Sequence, residues 1–339
     1  MKILISGYHN PHYLTVTEYI ERAVRQLGHE VIVFNDRDHL IPGRLRKRWA
    51  PLQSISVAAI NVNLIRLAER TRPGMIVVTG GHRITRGGLR TLIRKGFRVV
   101  LWTTDLPQAE DLMRTTAFDY HSVFCQGTEY VEIFRELGIP EARWLPMACE
   151  PQIHHPVQLT EEEGRRFGSD VVFVGSYYPW RADYLKYLAG LNLAIWGPGW
   201  EKLPTDSPLR AFIRGAHTPP ETWTKIYSAS KIVLSVHIQD PQRQFNVYQS
   251  SPRIFEALAC GAFVLTDRQP DVLSLFRDGE HLVAFSDAED LRQKTHYFLS
   301  CPEERHRIAE AGRQEVLNKH TYIQRLQTLL SVAGPQLLA

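Results

Sequence analysis

Short β-branched and apolar runs alternate with longer stretches whose apolar positions recur every three or four residues, almost from one end of the chain to the other. A brief apolar run bounded by turn residues fits a strand buried on both faces, and the 3.6-residue period fits a helix lying on such strands. In the first half the spacing predicts strands at Lys2–Ser6, Glu30–Phe34, Met75–Thr79, Arg98–Thr103 and His121–Cys125. Between them it predicts helices over Val16–Leu27, closed by Gly28, over Val57–Arg70, stopped before Pro73, and over Thr128–Leu137, closed by Gly138. From Met147 to Ser169 the pattern lapses into a Pro-, His- and Glu-rich stretch that reads as the linker, with a long loop or short helix. A second series follows, with strands at Asp170–Val174, Asn192–Trp196, Lys231–Val236, Ala262–Thr266 and His281–Phe285. Its helices are Arg181–Ala189, Pro220–Ser228, Pro252–Cys260, Glu289–Leu299 and Glu303–Asn318, and a last helix covers Thr321–Val332.

This alternation is the signature of parallel βαβ units, and 339 residues are long for one core. The expectation is an α/β protein of two Rossmann-like doubly wound domains facing across a cleft. Residues 1–155 and 165–320 form the two, and 321–339 form a terminal helix and tail that returns to the first. No GxGxxG follows a strand, which argues against an ordinary dinucleotide dehydrogenase. In such sheets ligands bind beyond the carboxyl ends of strands, so the residues just after each strand are where chemistry belongs.

Cysteine and charge narrow the classes. Cys125, Cys149, Cys260 and Cys301 are widely spread, without CxxC or zinc-finger spacing, so neither a disulfide framework nor a structural metal is expected. The opening apolar run is too short for a signal peptide, and no stretch approaches the ~20 apolar residues that span a bilayer. A cytoplasmic location is expected. Residues 37–98 hold fourteen Lys/Arg against two Asp/Glu, a balance of +12 that the remainder offsets with −8. Arg44, Arg46, Lys47 and Arg48 are the densest part, with Trp49 beside them. Solvated helix faces are one explanation. An anionic acceptor, or an anionic membrane surface that carries one at the periphery, is the other. No recognition motif accompanies the charge, so nucleic acid is not expected.

The sharpest segment runs from Ser251 to Gly261 and on to Asp267. Ser251 suits an N-cap, Pro252 a first turn and Gly261 a left-handed terminus. The amino end of that helix offers free N–H groups and a positive dipole to a diphosphate. Glu256, one turn in, suits the vicinal hydroxyls of a ribose, and Arg253 suits a phosphate. An ordinary Arg–Glu pair at i,i+3 is the alternative.

The segments Arg253–Asp267 (RIFEALACGAFVLTD), Asp271–Phe285 and Pro302–Leu326 resemble the C-terminal part of the CgeB-like, spore-maturation type glycosyltransferases. That group has the GT-B fold and is similar to family 4 retaining glycosyltransferases. The resemblance implies a metal-independent transferase, a hexosyltransferase, without a cofactor, whose donor is a nucleotide-diphosphate sugar. It places ribose binding on Glu256. The strand and turn from Asp170 to Arg181 resemble the first donor-domain strand, which implies that Gly175, Ser176 and Arg181 approach the pyrophosphate. Gly197 lies in the turn after the next strand, and His217 stands where related enzymes hold the base. The base stays open among uracil, guanine and thymine, with UDP as the working nucleotide. Eight positions before Glu256, where family 4 carries a glutamate, stands Tyr248. The stereochemical outcome therefore stays open, and Asn246 is a candidate neutral donor to sugar hydroxyls.

In the first half Leu101–Pro107 resembles the same group's N-terminal domain and puts Asp105 just past a strand. Transfer with inversion needs a base for the acceptor hydroxyl. Asp105, His9 in the first strand-to-helix loop and His82 after the third strand are the candidates, in that order. A retaining enzyme needs none, because the leaving phosphate takes the proton. A nucleotide-sugar epimerase and a non-catalytic nucleotide-sugar-binding protein are the alternatives of another class.

Overall fold

The computed structural model describes residues 1–11, 13–39, 41–104, 115–216, 219–239, 247–248 and 250–334. They fall into two units. One comprises Met1–Pro146 together with the chain from Tyr322 onward, and the other comprises Met147–Thr321.

The first unit is built on strands β1 (Lys2–Gly7), β2 (Glu30–Asn35), β3 (Met75–Thr79), β4 (Val99–Trp102), β5 (Ser122–Cys125) and β6 (Arg143–Trp144). They form one parallel sheet in the order β2-β1-β3-β4-β5-β6. β3 (MIVVT) and β4 (VVLW) are buried at every position. That is why their sequences are continuous apolar runs rather than alternating ones. Helices α1 (Val16–Gln26), α2 (Gly43–Arg48), α3 (Ala50–Thr71), α4 (Arg86–Arg94) and α5 (Thr128–Glu136) connect them.

The second unit contains β7 (Ser169–Val174), β8 (Leu193–Trp196), β9 (Ile213–Gly215), β10 (Ser230–Ser235), β11 (Val264–Asp267) and β12 (Val283–Phe285). These pair in parallel in the order β12-β11-β10-β7-β8-β9. Its helices are α6 (Glu161–Phe167), α7 (Pro179–Lys186), α8 (Pro220–Ala229), α9 (Pro252–Ala259), α10 (Pro270–Leu275), α11 (Ala288–Ser300) and α12 (Pro302–Lys319). A last helix, α13 (Tyr322–Ala333), belongs to the first unit, where it packs on α1. Tyr322 lies between Tyr19 and Trp102, with ring centres 5.8 and 6.3 Å away, and Arg325 Nε donates to the Pro146 carbonyl at 3.0 Å.

Two expectations change. The division falls after Pro146 rather than near residue 155, and the stretch from Met147 is not a free linker. Met147, Ala148, Cys149, Glu150 and His154 are buried, and Cys149 N–H donates to the His320 carbonyl at 3.0 Å. Backbone groups in a buried connection need such partners.

In each sheet the strand order reverses once, between β1 and β3 and between β7 and β10. Loops at such a reversal diverge to opposite faces and leave a crevice at the carboxyl edge. Residues following β1, β3, β7 and β10 are therefore the ones the fold sets apart for ligands.

Candidate functional site

At the second unit's reversal, β7 ends at Val174 and turns through Gly175. A side chain at Gly175 would stand 2.5 Å from Arg253 Nη2, so only glycine lets the guanidinium lie against the turn. Gly197, with φ +132°, backs this turn from β8, and a methyl there would overlap the Gly175 carbonyl. Its role is close backbone packing.

Arg181 on α7 and Arg253 on α9 both lie over the Phe173 ring, their guanidinium carbons 5.3 and 5.2 Å from its centre. Arg181 is buried and donates to the carbonyls of Val236 (Nε, 2.9 Å) and Ser176 (Nη1, 2.9 Å). Burial, then the charge of Arg253, lowers its pKa to about 9. Ser176 thus contributes its carbonyl to holding Arg181. Asp183, two positions on in α7, pairs with Lys186. Neither arginine makes an ion pair with a described residue. Two neighbouring cations, one of them buried and neither ion-paired with a described residue, are an arrangement that can hold an anion.

The start of α9 is fixed from below by β10 and β11. Ser251 stands at the N-cap, but its side chain makes no capping bond. Its N–H instead donates to His237 Nε2 at 3.0 Å. Because Nε2 accepts, Nδ1 carries the proton and donates to Asp267 Oδ1 at 2.7 Å. Gln269 donates to the other Asp267 oxygen at 2.8 Å. Burial alone would raise the Asp267 pKa, but His237 and Gln269 outweigh it and hold the carboxylate below its ordinary range. Trp180 Nε1 donates to the His237 carbonyl at 3.2 Å, which ties α7 to the same point.

One turn into α9, the Glu256 side chain is 13% exposed. Burial pushes its pKa up to about 7 against the opposing charge of Arg253. The two do not form the i,i+3 ion pair considered above. The imidazole of His154 lies beside Glu256, Nε2 4.0 Å from Oε1. Glu150 N–H donates to His154 Nδ1 at 3.0 Å, so the proton sits on Nε2, beyond hydrogen-bonding reach of the carboxylate. Burial, then His155, lowers the His154 pKa to about 3, so this is a neutral N–H. The Glu256 carboxylate makes no hydrogen bond with a described residue. The Tyr248 carbonyl accepts Asp271 N–H of α10 at 3.1 Å.

At the first unit's reversal, His9 follows β1 and His82 follows the Gly80–Gly81 turn after β3. His9 Nε2 lies 2.6 Å from Glu21 Oε1 and Nδ1 lies 3.2 Å from the Gly7 carbonyl. Burial disfavours the imidazolium, but the bond to Glu21 and its charge prevail, so the His9 pKa is raised. With an acceptor at each nitrogen, both carry protons, and His9 offers no lone pair to a hydroxyl while those contacts stand. Asp36, just past β2, was not anticipated. It is 4% exposed, and its Oδ1 has no hydrogen-bond partner among the described residues. Burial raises its pKa against Arg37, Arg83, His82 and His9. Asp105, His217 and Asn246 lie outside the described residues. Among the described residues no three or more His, Cys, Asp or Glu gather as for a metal ion, and no helix is long and apolar enough to cross a membrane.

Comparison with known proteins bears on this geometry. Residues 180–331 match the family described as "Glycosyl transferase-like". The chain is 23% identical over 266 residues to Spore protein CgeB of Bacillus subtilis (strain 168), covering 75% of this chain and 81% of that protein. Three solved structures share its fold. A glycosyltransferase from Rickettsia africae has a TM-score of 0.68 at 14% identity, covering 98% of this chain and 97% of that one. Sucrose-phosphate synthase from Thermosynechococcus elongatus has 0.65 at 12%, covering 98% of each. Anabaena HepE, solved in complex with UDP-glucose, has 0.64 at 12%, covering 98% and 99%. The shared fold is GT-B.

Proposed function

We propose that this chain, a CgeB-like protein of the GT-B fold with a glycosyl transferase-like domain, moves a sugar from a nucleotide-diphosphate sugar to an acceptor hydroxyl. The observation that carries the reading is the Arg181–Arg253 pair over Phe173, two guanidinium groups that form no ion pair with a described residue. As the bond from the sugar's anomeric carbon to the leaving phosphate breaks, negative charge grows on the diphosphate. Arg253 and the amino end of α9 supply positive charge there, and Arg181 holds the turn against which it forms. That supports transfer without a divalent ion. The carboxylate of Glu256, with no donor of its own, suits the two ribose hydroxyls, which are donors.

UDP-glucose in the HepE complex favours UDP as the nucleotide and a hexose as the sugar. The excess of cations between Arg37 and Arg98 extends the reading to an anionic acceptor, or one displayed at a membrane surface. His9, with both N–H groups engaged by Glu21 and Gly7, does not suit deprotonation of an acceptor hydroxyl.

The test is release of UDP from UDP-sugars by the purified chain, with and without a chelator. Release that persists in chelator and falls roughly 10- to 100-fold in Arg253→Gln is expected, the loss of a charged hydrogen bond. An altered donor sugar without UDP release would make the protein an epimerase. Absence of both release and nucleotide binding would remove the reading.

A further inference from the structure

Helix α3 departs from the rule that a surface helix turns polar positions outward. Its inner face, with Val57, Ile60, Leu64 and Ala68, is buried in the first unit. On the opposite face Pro51, Ile55, Ala58 and Val62 recur at helical spacing and all are exposed, Ile55 by 58% and Val62 by 44%. From Ala50 to Ile65 the helix has no charged residue. The adjoining α2 packs on α3 and adds Leu45, 52% exposed, and the junction adds Trp49, 62% exposed.

Cations frame this apolar strip. Arg44 and Arg48 stand at one end and Arg66 and Arg70 at the other, all exposed and none in an ion pair with a described residue. No Asp or Glu occurs between Asp38 and Glu69, and Glu69 itself is paired with Lys95. Water is a poor neighbour for the strip, and the strip cannot neutralise its own rim. An anionic bilayer satisfies both, because aliphatic and Trp side chains settle at the boundary between headgroups and acyl chains while arginines meet lipid phosphates.

We infer that the α2–α3 face docks on an anionic lipid surface, with Leu45, Trp49, Ile55 and Val62 inserted and Arg44, Arg48, Arg66 and Arg70 against the headgroups. The docking is independent of the donor-site reading. An acidic protein would satisfy the arginines but not the uncharged strip, which favours lipid.

Co-sedimentation of the full chain with large vesicles tests this, comparing phosphatidylcholine alone with an equal mixture of phosphatidylcholine and phosphatidylglycerol. Binding to the mixed vesicles only, weakening as salt rises, is expected. Arg44→Gln with Arg48→Gln lowers the partition coefficient by roughly fivefold per arginine. Ile55→Glu with Val62→Glu removes binding while the melting temperature and UDP-glucose affinity stay unchanged, since both side chains point outward. No binding to mixed vesicles at low salt, equal binding to neutral ones, or binding indifferent to these substitutions overturns the inference. A dimer that dissociates on Ile55→Glu would overturn it too, by assigning the face to a second copy.

Discussion

Glu256 titrates near neutrality in the free protein, at about 7, because burial disfavours its charge. A ribose whose hydroxyls donate to it needs the carboxylate, so binding of a nucleotide sugar must draw that value back toward the ordinary 4.5. At pH 8 about a tenth of the free protein carries the extra proton, and at pH 6 about nine-tenths does. Removing it before binding makes the apparent Kd for UDP-glucose roughly tenfold weaker at pH 6 than at pH 8. UDP-glucose is the right probe, since its diphosphate is esterified at both ends and lacks the terminal phosphate that titrates in free UDP. Calorimetry in buffers of different ionisation enthalpy reads both the affinity and the released proton. Glu256→Gln cannot titrate, so its Kd is flat over this range and weaker at pH 8 by roughly tenfold, the loss of a charge-assisted bond. The same shift has a sign in stability. The folded state binds more protons than the unfolded state between pH 4.5 and 7, so stability falls as pH rises through that window, by about 3 kcal/mol in all. A wild-type Kd unchanged between pH 6 and 8, or a Glu256→Gln variant that keeps the tenfold slope, refutes the assignment.

Two further substitutions test the supports of the two sites. His237→Ala leaves Asp267 buried without its imidazole and Ser251 N–H without its acceptor, and should cost about 3–5 kcal/mol in urea unfolding; a loss under about 1 kcal/mol would show that the pair does not hold the start of α9. Asp36→Asn removes a buried charge whose Oδ1 has no described partner. Because the Asp36 pKa is raised by burial, its cost is present at high pH and absent in acid. The variant should therefore melt a few degrees higher at pH 8, on the order of 1 kcal/mol, and no higher at low pH. A lower melting temperature at pH 8 would mean the carboxylate is satisfied.

Central strands were legible because burial on both faces writes them as unbroken apolar runs, as in Met75–Thr79, whose predicted and observed bounds coincide. The edge strands β6 and β9 were missed, since two or three residues such as Arg143–Trp144 and Ile213–Gly215 leave no period to detect. The first turns of α3 were missed because Pro51, Ile55 and Ala58 face outward and blur its 3.6-residue pattern. Helix α4 was missed because Gly87, Gly88 and its arginines dilute the signal. The helix that carries Glu256 and Arg253 was legible from its bounds at Ser251–Pro252 and Gly261. The coupling of His237 to Asp267 and Ser251 was not, because it joins residues 30 and 14 positions apart through the sheet edge. His154 sits in the stretch read as a linker, where composition hid a buried segment. The one available hint for Asp36 was its place after β2, at the carboxyl edge beside His9 and His82.

A crystal structure of the chain with UDP-glucose bound measures the donor site most directly. The diphosphate oxygens should lie within hydrogen-bonding distance of Arg253 and the first turn of α9, with both ribose hydroxyls on the Glu256 carboxylate. A nucleotide seated elsewhere, with Arg253 and Glu256 still without a ligand contact, would contradict the assignment of this site to donor binding.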